Sequence, residues 1–254
     1  MKKLIAANWK MNKTIEEGLE FVWELKRLLK NENMADVAIC PPFTCLHAMS
    51  KALVKSNFAL GAQNMHFEGE GAYTGEISPN MLKDIGCEYV ILGHSERREI
   101  FGEDDYLVNR KVIAALNHPL NPILCIGENL EQKNQGKTDQ VLKSQLNNCL
   151  KDINSSQILK INIAYEPVWA ISKGNPNHKS AAPEDAEQAH IYIREILSNK
   201  YGKAIAQSVR IIYGGSVKPE YAKELLSMPN IDGGLVGKAS LNAKSFAEIV
   251  KSIK

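Results

Sequence analysis

Residues 209–226 read Val-Arg-Ile-Ile-Tyr-Gly-Gly-Ser-Val-Lys-Pro-Glu-Tyr-Ala-Lys-Glu-Leu-Leu, and this stretch contains the unit that decides the fold. The run Val209–Tyr213 is mostly apolar, has the length of a β-strand and is followed by a Gly-Gly-Ser turn. The spacing then predicts a helix over Pro219–Leu226. A proline at the first helical position needs no hydrogen-bond donor, and the acidic Glu220 suits a helix N-terminus.

The same order of a short apolar run, a polar turn and a helical stretch recurs along the chain. Most runs are continuous rather than alternating, which is typical of parallel strands that are covered on both faces. The predicted strands are Leu4–Ala7, Val37–Cys40, Phe58–Gly61, Tyr89–Leu92, Ile123–Ile126, Ile161–Tyr165, Val209–Tyr213 and Leu235–Gly237. Further helices are predicted at Ile15–Leu29, Pro183–Leu197 and Ala243–Ile253. The apolar residues expected near one face of the first helix are Leu19, Val22, Trp23, Leu25 and Leu29.

Eight such repeats in 254 residues favour an α/β protein with one closed, parallel, eight-stranded sheet, which is a (β/α)8 or TIM barrel. Barrels of this class reach such a length as one domain, so we expect a single domain over residues 1–254. Periodicity alone leaves an open, doubly wound sheet as the alternative.

The charge balance is close to neutral, because 31 basic and 29 acidic residues give a net charge of +2. This balance argues against a nucleic-acid or membrane-surface protein, which would concentrate positive charge. A run of about 18 apolar residues, which a membrane span requires, is absent, and the apolar part of Met1–Asn8 is too short for a signal peptide. The cysteines are scattered and form no CxxC pair, which indicates reduced thiols in the cytoplasm rather than a zinc site. They are Cys40, Cys45, Cys87, Cys125 and Cys149.

Functional side chains of such barrels follow the carboxyl ends of the strands, so the residues after each predicted strand are the candidates. Polar or glycine-rich segments follow six of the runs, and their side chains would face one mouth of the barrel. In chain order they are Asn8 and Lys10, His66–Ser78, His94, Glu166, Gly214-Gly215-Ser216, and Gly237-Lys238.

Each candidate also has a structural alternative when taken singly. Lys10 could be a solvated lysine, and His94 could simply cap the helix that begins at Ser95. Glu166 could be an ordinary loop acid, although the apolar segment 167–169 would remove water from its carboxylate. The Gly-Gly-Ser turn could be only a tight turn, or its backbone N–H groups could bind a phosphate.

Six segments, five of which contain candidates, resemble the signature segments of the triosephosphate isomerase family, in the family's order. The resemblance runs from the first predicted strand to the last predicted helix. The segments are Ala7-Asn8-Trp9-Lys10-Met11-Asn12, Gly61-Ala62-Gln63-Asn64, Gly93-His94-Ser95-Glu96-Arg97-Arg98, Ala164-Tyr165-Glu166-Pro167-Val168-Trp169-Ala170, Tyr213-Gly214-Gly215-Ser216-Val217 and Leu235-Val236-Gly237-Lys238-Ala239-Ser240-Leu241.

The resemblance implies interconversion of dihydroxyacetone phosphate and D-glyceraldehyde 3-phosphate through an enediolate, in glycolysis and gluconeogenesis, without a metal or an organic cofactor. It implies that Glu166 is the base, that neutral His94 is the electrophile, and that Lys10 supplies positive charge. Asn8 would orient the same substrate oxygens. The implied phosphate-binding backbone groups are those of Ser172, Ser216, Gly237 and Lys238. Glu96 and Cys125 match supporting positions of the family.

The family pattern also implies a homodimer, in which the segment 66–78, including Thr74, reaches into the partner subunit and steadies its lysine and histidine. Two departures concern phosphate binding. Ser172 and Lys238 stand where glycine is common, and the lid segment 172–178 is longer than usual. Two other functions remain as alternatives: a catalytically silent barrel that binds a sugar phosphate, and another phosphate-binding barrel enzyme such as an aldolase or an epimerase.

Overall fold

The computed structural model describes residues 1–30, 32–171 and 181–253. Eight strands of this part of the chain form a closed barrel in sequence order, and every neighbouring pair is parallel. The strands are β1 (Lys3–Asn8), β2 (Ala35–Cys40), β3 (Phe58–Ala62), β4 (Tyr89–Leu92), β5 (Asn121–Ile126), β6 (Asn162–Tyr165), β7 (Ile211–Tyr213) and β8 (Gly233–Val236). The predicted (β/α)8 barrel is confirmed, and the open sheet is excluded because β1 pairs with β8.

Helices connect the strands and cover the outside of the barrel. The α-helices are α1 (Ile15–Leu28), α2 (Phe43–Ala52), α3 (Pro79–Asp84), α4 (Ser95–Phe101), α5 (Asp105–Asn117), α6 (Leu130–Asn134), α7 (Thr138–Cys149), α8 (Pro183–Tyr201), α9 (Lys203–Ser208), α10 (Pro219–Ser227) and α11 (Ala243–Lys251). Short 3-10 helices span Ile158–Lys160, Val168–Ala170 and Lys238–Leu241. Within the described ranges, every helix is too short or too polar to cross a membrane.

Two apolar layers hold the barrel together, and the two-residue period of the strands sorts side chains between them. On β1, Leu4 and Ala6 point into the barrel, whereas Ile5 and Ala7 pack against the helices. The inner layer contains Leu4, Ala6, Ala38, Cys40, Ile91, Ile123, Cys125, Ala164, Ile212 and Leu235. Because its members are small or branched, the barrel interior is filled up to the mouth, where the side chains become polar.

The ends of several elements differ from the predictions. Ile161 and Val209 lie just before β6 and β7, and Gly237 lies just after β8. The predicted apolar face of α1 is partly wrong, since Leu19 is 41% exposed and Trp23 is 69% exposed. The helix instead buries Phe21, Val22 and Leu25, and Leu29 behind it is also buried. Helical period alone did not distinguish these two stripes, because both recur at four-residue spacing.

Candidate active site

β1 delivers two of the predicted site residues to the mouth of the barrel. Asn8 and Lys10 follow Leu4 and Ala6 at two-residue spacing, so they belong to the set of β1 residues that faces the inside of the barrel. Asn8 is 5% exposed, and its Oδ1 accepts a hydrogen bond from the backbone N–H of Lys10 at 3.1 Å. Lys10 has a φ of 54°, in the left-handed region that non-glycine residues rarely adopt. Such strain is typical of functional positions, where the surrounding structure holds the backbone.

The surroundings of Lys10 hold both its backbone and its charge. Gln63, at the end of β3, donates from Nε2 to Lys10 O at 2.8 Å and to Cys40 O at 2.9 Å. Lys10 Nζ lies 2.5 Å from Glu96 Oε1 in the first turn of α4. The ammonium group is therefore fixed at the mouth, and it remains partly exposed to an incoming anion.

His94 is the N-cap of α4 and is buried with 6% exposure. Its Nδ1 accepts a hydrogen bond from the backbone N–H of Glu96 at 3.2 Å. A ring nitrogen that accepts carries no proton, so a neutral His94 holds its proton on Nε2. That nitrogen lies 3.1 Å from Glu166 Oε1. The imidazole thus offers a neutral N–H donor on the side where the carboxylate stands.

Glu166 follows β6 and is 1% exposed. Its Oε2 accepts a hydrogen bond from the backbone N–H of Ser95 at 2.9 Å, at the start of α4. The strands on both sides approach it closely. A Cβ on Gly127 would lie 1.8 Å from Glu166 O, and one on Gly214 would lie 2.7 Å from Glu166 Cγ. Both neighbouring positions therefore require glycine for the carboxylate to stand here.

Cys125 lies at the inner side of the carboxylate, one layer below the mouth on β5. Burial raises the pKa of the Cys125 thiol well above its ordinary value, and the Glu166 carboxylate raises it further. The thiol is therefore neutral, and its closeness to Glu166 is the relationship implied for a supporting residue.

Glu128 is a buried acid near the site, and it was not among the residues that the sequence predicted to be functional. It is fully buried after β5, and its carboxylate accepts from Tyr165 Oη at 3.2 Å and from Trp169 Nε1 at 2.8 Å. Burial and Glu128 together raise the pKa of Tyr165. The segment after Glu166 is thus tied to β5. Glu128 follows the predicted strand Ile123–Ile126, so the expectation that functional residues follow the strands, applied above to six strands, also holds for β5.

The predicted phosphate-binding residues of β7 and β8 lie at the same mouth. Ser216 and Gly237 are half-buried, and Lys238 is exposed at the start of a 3-10 helix. The Cβ position of Gly237 is 3.6 Å from Lys10 Cε, which places this turn beside the ammonium group. Ser172, the fourth predicted residue, lies outside the described residues, as does the lid segment 172–178.

Across residues 1–30, 32–171 and 181–253, no three His, Cys, Asp or Glu side chains converge in a way that could hold a metal ion. The site combines the carboxylates of Glu166 and Glu96 with the imidazole of His94 and the ammonium group of Lys10, and backbone N–H groups lie nearby.

Comparison with known proteins agrees with this geometry. The sequence matches the family profile described as "Triosephosphate isomerase" over residues 3–253. It is 54% identical over 250 residues to a triosephosphate isomerase of Carboxydothermus hydrogenoformans, with 98% of each chain covered. A triosephosphate isomerase of Finegoldia magna is 51% identical over 250 residues, again with 98% of each chain covered. One of Chloroherpeton thalassium is 49% identical over 252 residues, which cover 99% of this chain and 98% of that protein.

Proposed function

This chain belongs to the triosephosphate isomerase family, and we propose that it interconverts dihydroxyacetone phosphate and D-glyceraldehyde 3-phosphate with Glu166, His94 and Lys10 as its catalytic residues. One observation carries the assignment of roles: the Glu166 carboxylate and the proton-bearing Nε2 of a neutral His94 stand 3.1 Å apart. A base and a hydrogen-bond donor in this arrangement can act on adjacent carbon and oxygen atoms of one substrate.

Glu166 removes the proton from the carbon next to the carbonyl. The C–H electron pair becomes the double bond of the enediolate, the carbonyl oxygen takes the negative charge, and the carboxylate becomes a carboxylic acid. A proton then moves from the hydroxyl oxygen to the former carbonyl oxygen, and the carboxylic acid of Glu166 returns a proton to the former carbonyl carbon, which completes the isomerisation and restores the carboxylate. Burial at 1% exposure limits the solvation of the carboxylate, which favours proton transfer from the substrate over solvation of the charge.

His94 and Lys10 stabilise the charge that develops on the substrate oxygens. A neutral N–H donor can hydrogen-bond both oxygens, and the ammonium group attracts the enediolate as well as the phosphate dianion. Asn8 fixes the backbone of Lys10 and would also face the same oxygens. Glu96 holds the ammonium group and the His94 ring from the same helical turn, so it acts as a positioning residue.

The phosphate group would bind the backbone N–H groups of Ser216, Gly237 and Lys238, and that of Ser172. Consecutive N–H groups at a turn or at the start of a helix attract anions. Support comes from the position of Gly237 beside Lys10, because the ammonium group then lies between the phosphate and the reacting carbons.

We further propose a homodimer that forms through the segment 66–78. Residues 70–76 of this segment are exposed, including Thr74 and Tyr73, which is 44% exposed. The ring of His66 lies 4.1 Å from those of Phe67 and Tyr73, so the segment is ordered around its aromatic residues.

Other large apolar side chains in the segments that follow the first four strands, which are neighbours in the barrel, are also exposed. Met11 is 95% exposed, Phe43 38%, Met81 55% and Phe101 66%. An apolar surface of this kind is typical of a protein interface. A partner subunit would cover it.

Two broader assignments complete the proposal. We infer a cytoplasmic enzyme, which the free thiol state of the five cysteines supports. We also infer that residues 1–254 form a single domain, because the strands of the described residues close one barrel from the first to the last.

A coupled assay of the purified protein with dihydroxyacetone phosphate, with and without a chelator such as EDTA, tests the function and the absence of a cofactor together. We expect turnover that the chelator leaves unchanged. Absence of turnover would contradict the function, and turnover that is lost on chelation and restored by a divalent metal would contradict the proposed chemistry.

A further inference from the structure

A cavity of about 180 Å³ lies beside Glu166, between the start of α4 and the segment that joins β5 to α6. Residues from four parts of the chain line it, among them Ser95, Glu99, Gly127, Gln132, Gln145 and Glu166. Asn8, Lys10, His94 and Gly237 do not line it. The cavity is therefore distinct from the space on which the proposed substrate-binding residues converge.

Exposure falls steadily from the mouth of this cavity to its inner end. Glu99 and Asn129 are exposed, Gln132 and Gln145 are half-buried, and Glu166 is 1% exposed. The cavity thus leads from solvent to the residue that carries the proposed base, and most of the side chains that line it are polar.

Two buried oxygens belong to residues that line the cavity. Ser95 Oγ and Glu166 Oε1 find no hydrogen-bond partner among the described residues. Glu166 Oε1 is close to His94 Nε2, but the ring N–H does not point at it well enough to form a hydrogen bond. Buried oxygens are normally paired, often with ordered water, and a cavity of this volume accommodates several water molecules.

The wall of the passage is fixed next to the carboxylate. Gln145 Oε1 accepts from the backbone N–H of Gly127 at 2.8 Å, and its Nε2 donates to Gly127 O at 3.3 Å. A Cβ on Gly127 would lie 1.8 Å from Glu166 O, so β5 and β6 are in contact at this point. The side-chain amide is therefore held at the passage instead of swinging across it.

We propose that this cavity is the route by which the proton on Glu166 exchanges with solvent during turnover. The inference rests on the proposed role of Glu166 as the base. After proton abstraction Glu166 is a carboxylic acid. In D2O its O–H proton passes to a cavity water and the carboxylate oxygen receives a deuteron, so that COOH and D2O become COOD and HDO. With substrate on the side of Lys10 and His94, this cavity would be the approach by which water reaches Glu166.

The isotope content of the product reports this exchange directly. D-Glyceraldehyde 3-phosphate is converted in D2O, and NMR gives the ratio of dihydroxyacetone phosphate that carries the original hydrogen to that which carries deuterium. Glu99→Trp places a bulky ring at the cavity mouth. We expect a several-fold rise in the fraction that retains hydrogen, with kcat/KM close to that of the wild type, because exchange slows and transfer does not.

Glu131→Trp is the matched control, because Glu131 is an exposed acid on α6 that does not line the cavity. It should give the wild-type ratio. Ser95→Ala removes the cavity hydroxyl without filling the passage and should also raise retention. An unchanged hydrogen-to-deuterium ratio in an active Glu99→Trp enzyme overturns the exchange route. If Glu99→Trp does not fold, an unchanged ratio in Ser95→Ala overturns it. Wild-type protein without isomerase activity would instead overturn the proposed function.

Discussion

The side chain of Glu166 occupies the space that a side chain at position 214 would need. A Cβ on Gly214 would lie 2.7 Å from Glu166 Cγ and 3.6 Å from Glu166 Oε1. The glycine after β7 and the acid after β6 are therefore matched to each other, and the position of the carboxylate depends on the absence of a neighbouring methyl group.

Gly214→Ala should consequently impair catalysis while leaving the fold intact. Displacement of a reacting group by about 1 Å costs on the order of 10²-fold in rate, and we expect kcat to fall by that amount. Gly234→Ala on β8 is the control, since the nearest atoms to its Cβ position are 3.7 Å away. Steady-state kinetics and circular dichroism check both variants. Equal kcat values for the two alanine variants would contradict this steric account.

The two lysines at the mouth should differ in importance. Lys10 is held by Glu96 and Gln63 beside the turn of Gly237, whereas Lys238 is exposed and is proposed to act through its backbone N–H. Lys10→Met should lower kcat/KM by about 10²-fold or more, the typical loss of a charge-stabilising group. Lys238→Met keeps its N–H and should stay within about tenfold of the wild type. A larger loss in Lys238→Met than in Lys10→Met would reverse the assignment.

The sequence predicted the barrel well, because continuous apolar runs and helix-start signals such as Pro219-Glu220 are local. Lys10, His94 and Glu166 could also be predicted from the sequence, since each lies one or two residues after the end of a strand. What could not be predicted depends on the register between strands. The closeness of Gly214 to Glu166 and the contact of Gln63 with Lys10 O both arise only when the barrel closes.

The buried face of α1 likewise depends on how the helix packs against the closed barrel, which local spacing does not show. Leu19 and Trp23 have the helical spacing of buried residues, but they lie on the outer face of the helix and remain exposed. Glu128 was missed for a different reason. It follows a predicted strand, but its carboxylate contacts Tyr165 of β6 and Trp169 of the next 3-10 helix, and only the folded barrel brings these side chains to it.

Dimer formation should depend on the segment 66–78. Tyr73→Asp places a charge at the proposed interface and should weaken the dimer by about 2 kcal/mol or more, as for the loss of a central interface residue. Tyr221→Asp on α10 is the control, because Tyr221 is 58% exposed and follows β7, whereas the segment 66–78 follows β3. Analytical ultracentrifugation measures both, and an active wild-type monomer at micromolar concentration would disprove the obligate dimer.

His190 should make stability depend on pH in mild acid. Burial lowers its pKa from 6.5 to about 3. Between these values the unfolded chain binds a proton that the folded chain does not, so the free energy of unfolding falls as pH drops below about 6.5. One such group contributes a slope of up to about 1.4 kcal/mol per pH unit.

Urea unfolding of His190→Gln at a fixed protein concentration, between pH 4.5 and 7, measures this contribution. The slope of the free energy of unfolding against pH should become shallower by the contribution of about one bound proton, whatever the absolute stability of the variant. His47→Gln, at an exposed position on α2, should keep the wild-type slope. If both variants lose stability with pH as the wild type does, His190 does not supply the dependence.

The role of Glu166 as the base is tested most directly by the kcat and KM of Glu166→Gln. The amide keeps the shape of the side chain but cannot accept the carbon-bound proton. We expect kcat to fall by several orders of magnitude with little change in KM, since a general base acts mainly in the transition state. A variant that retains more than about a tenth of the wild-type kcat would contradict the account, because general-base catalysis contributes about 10²-fold or more.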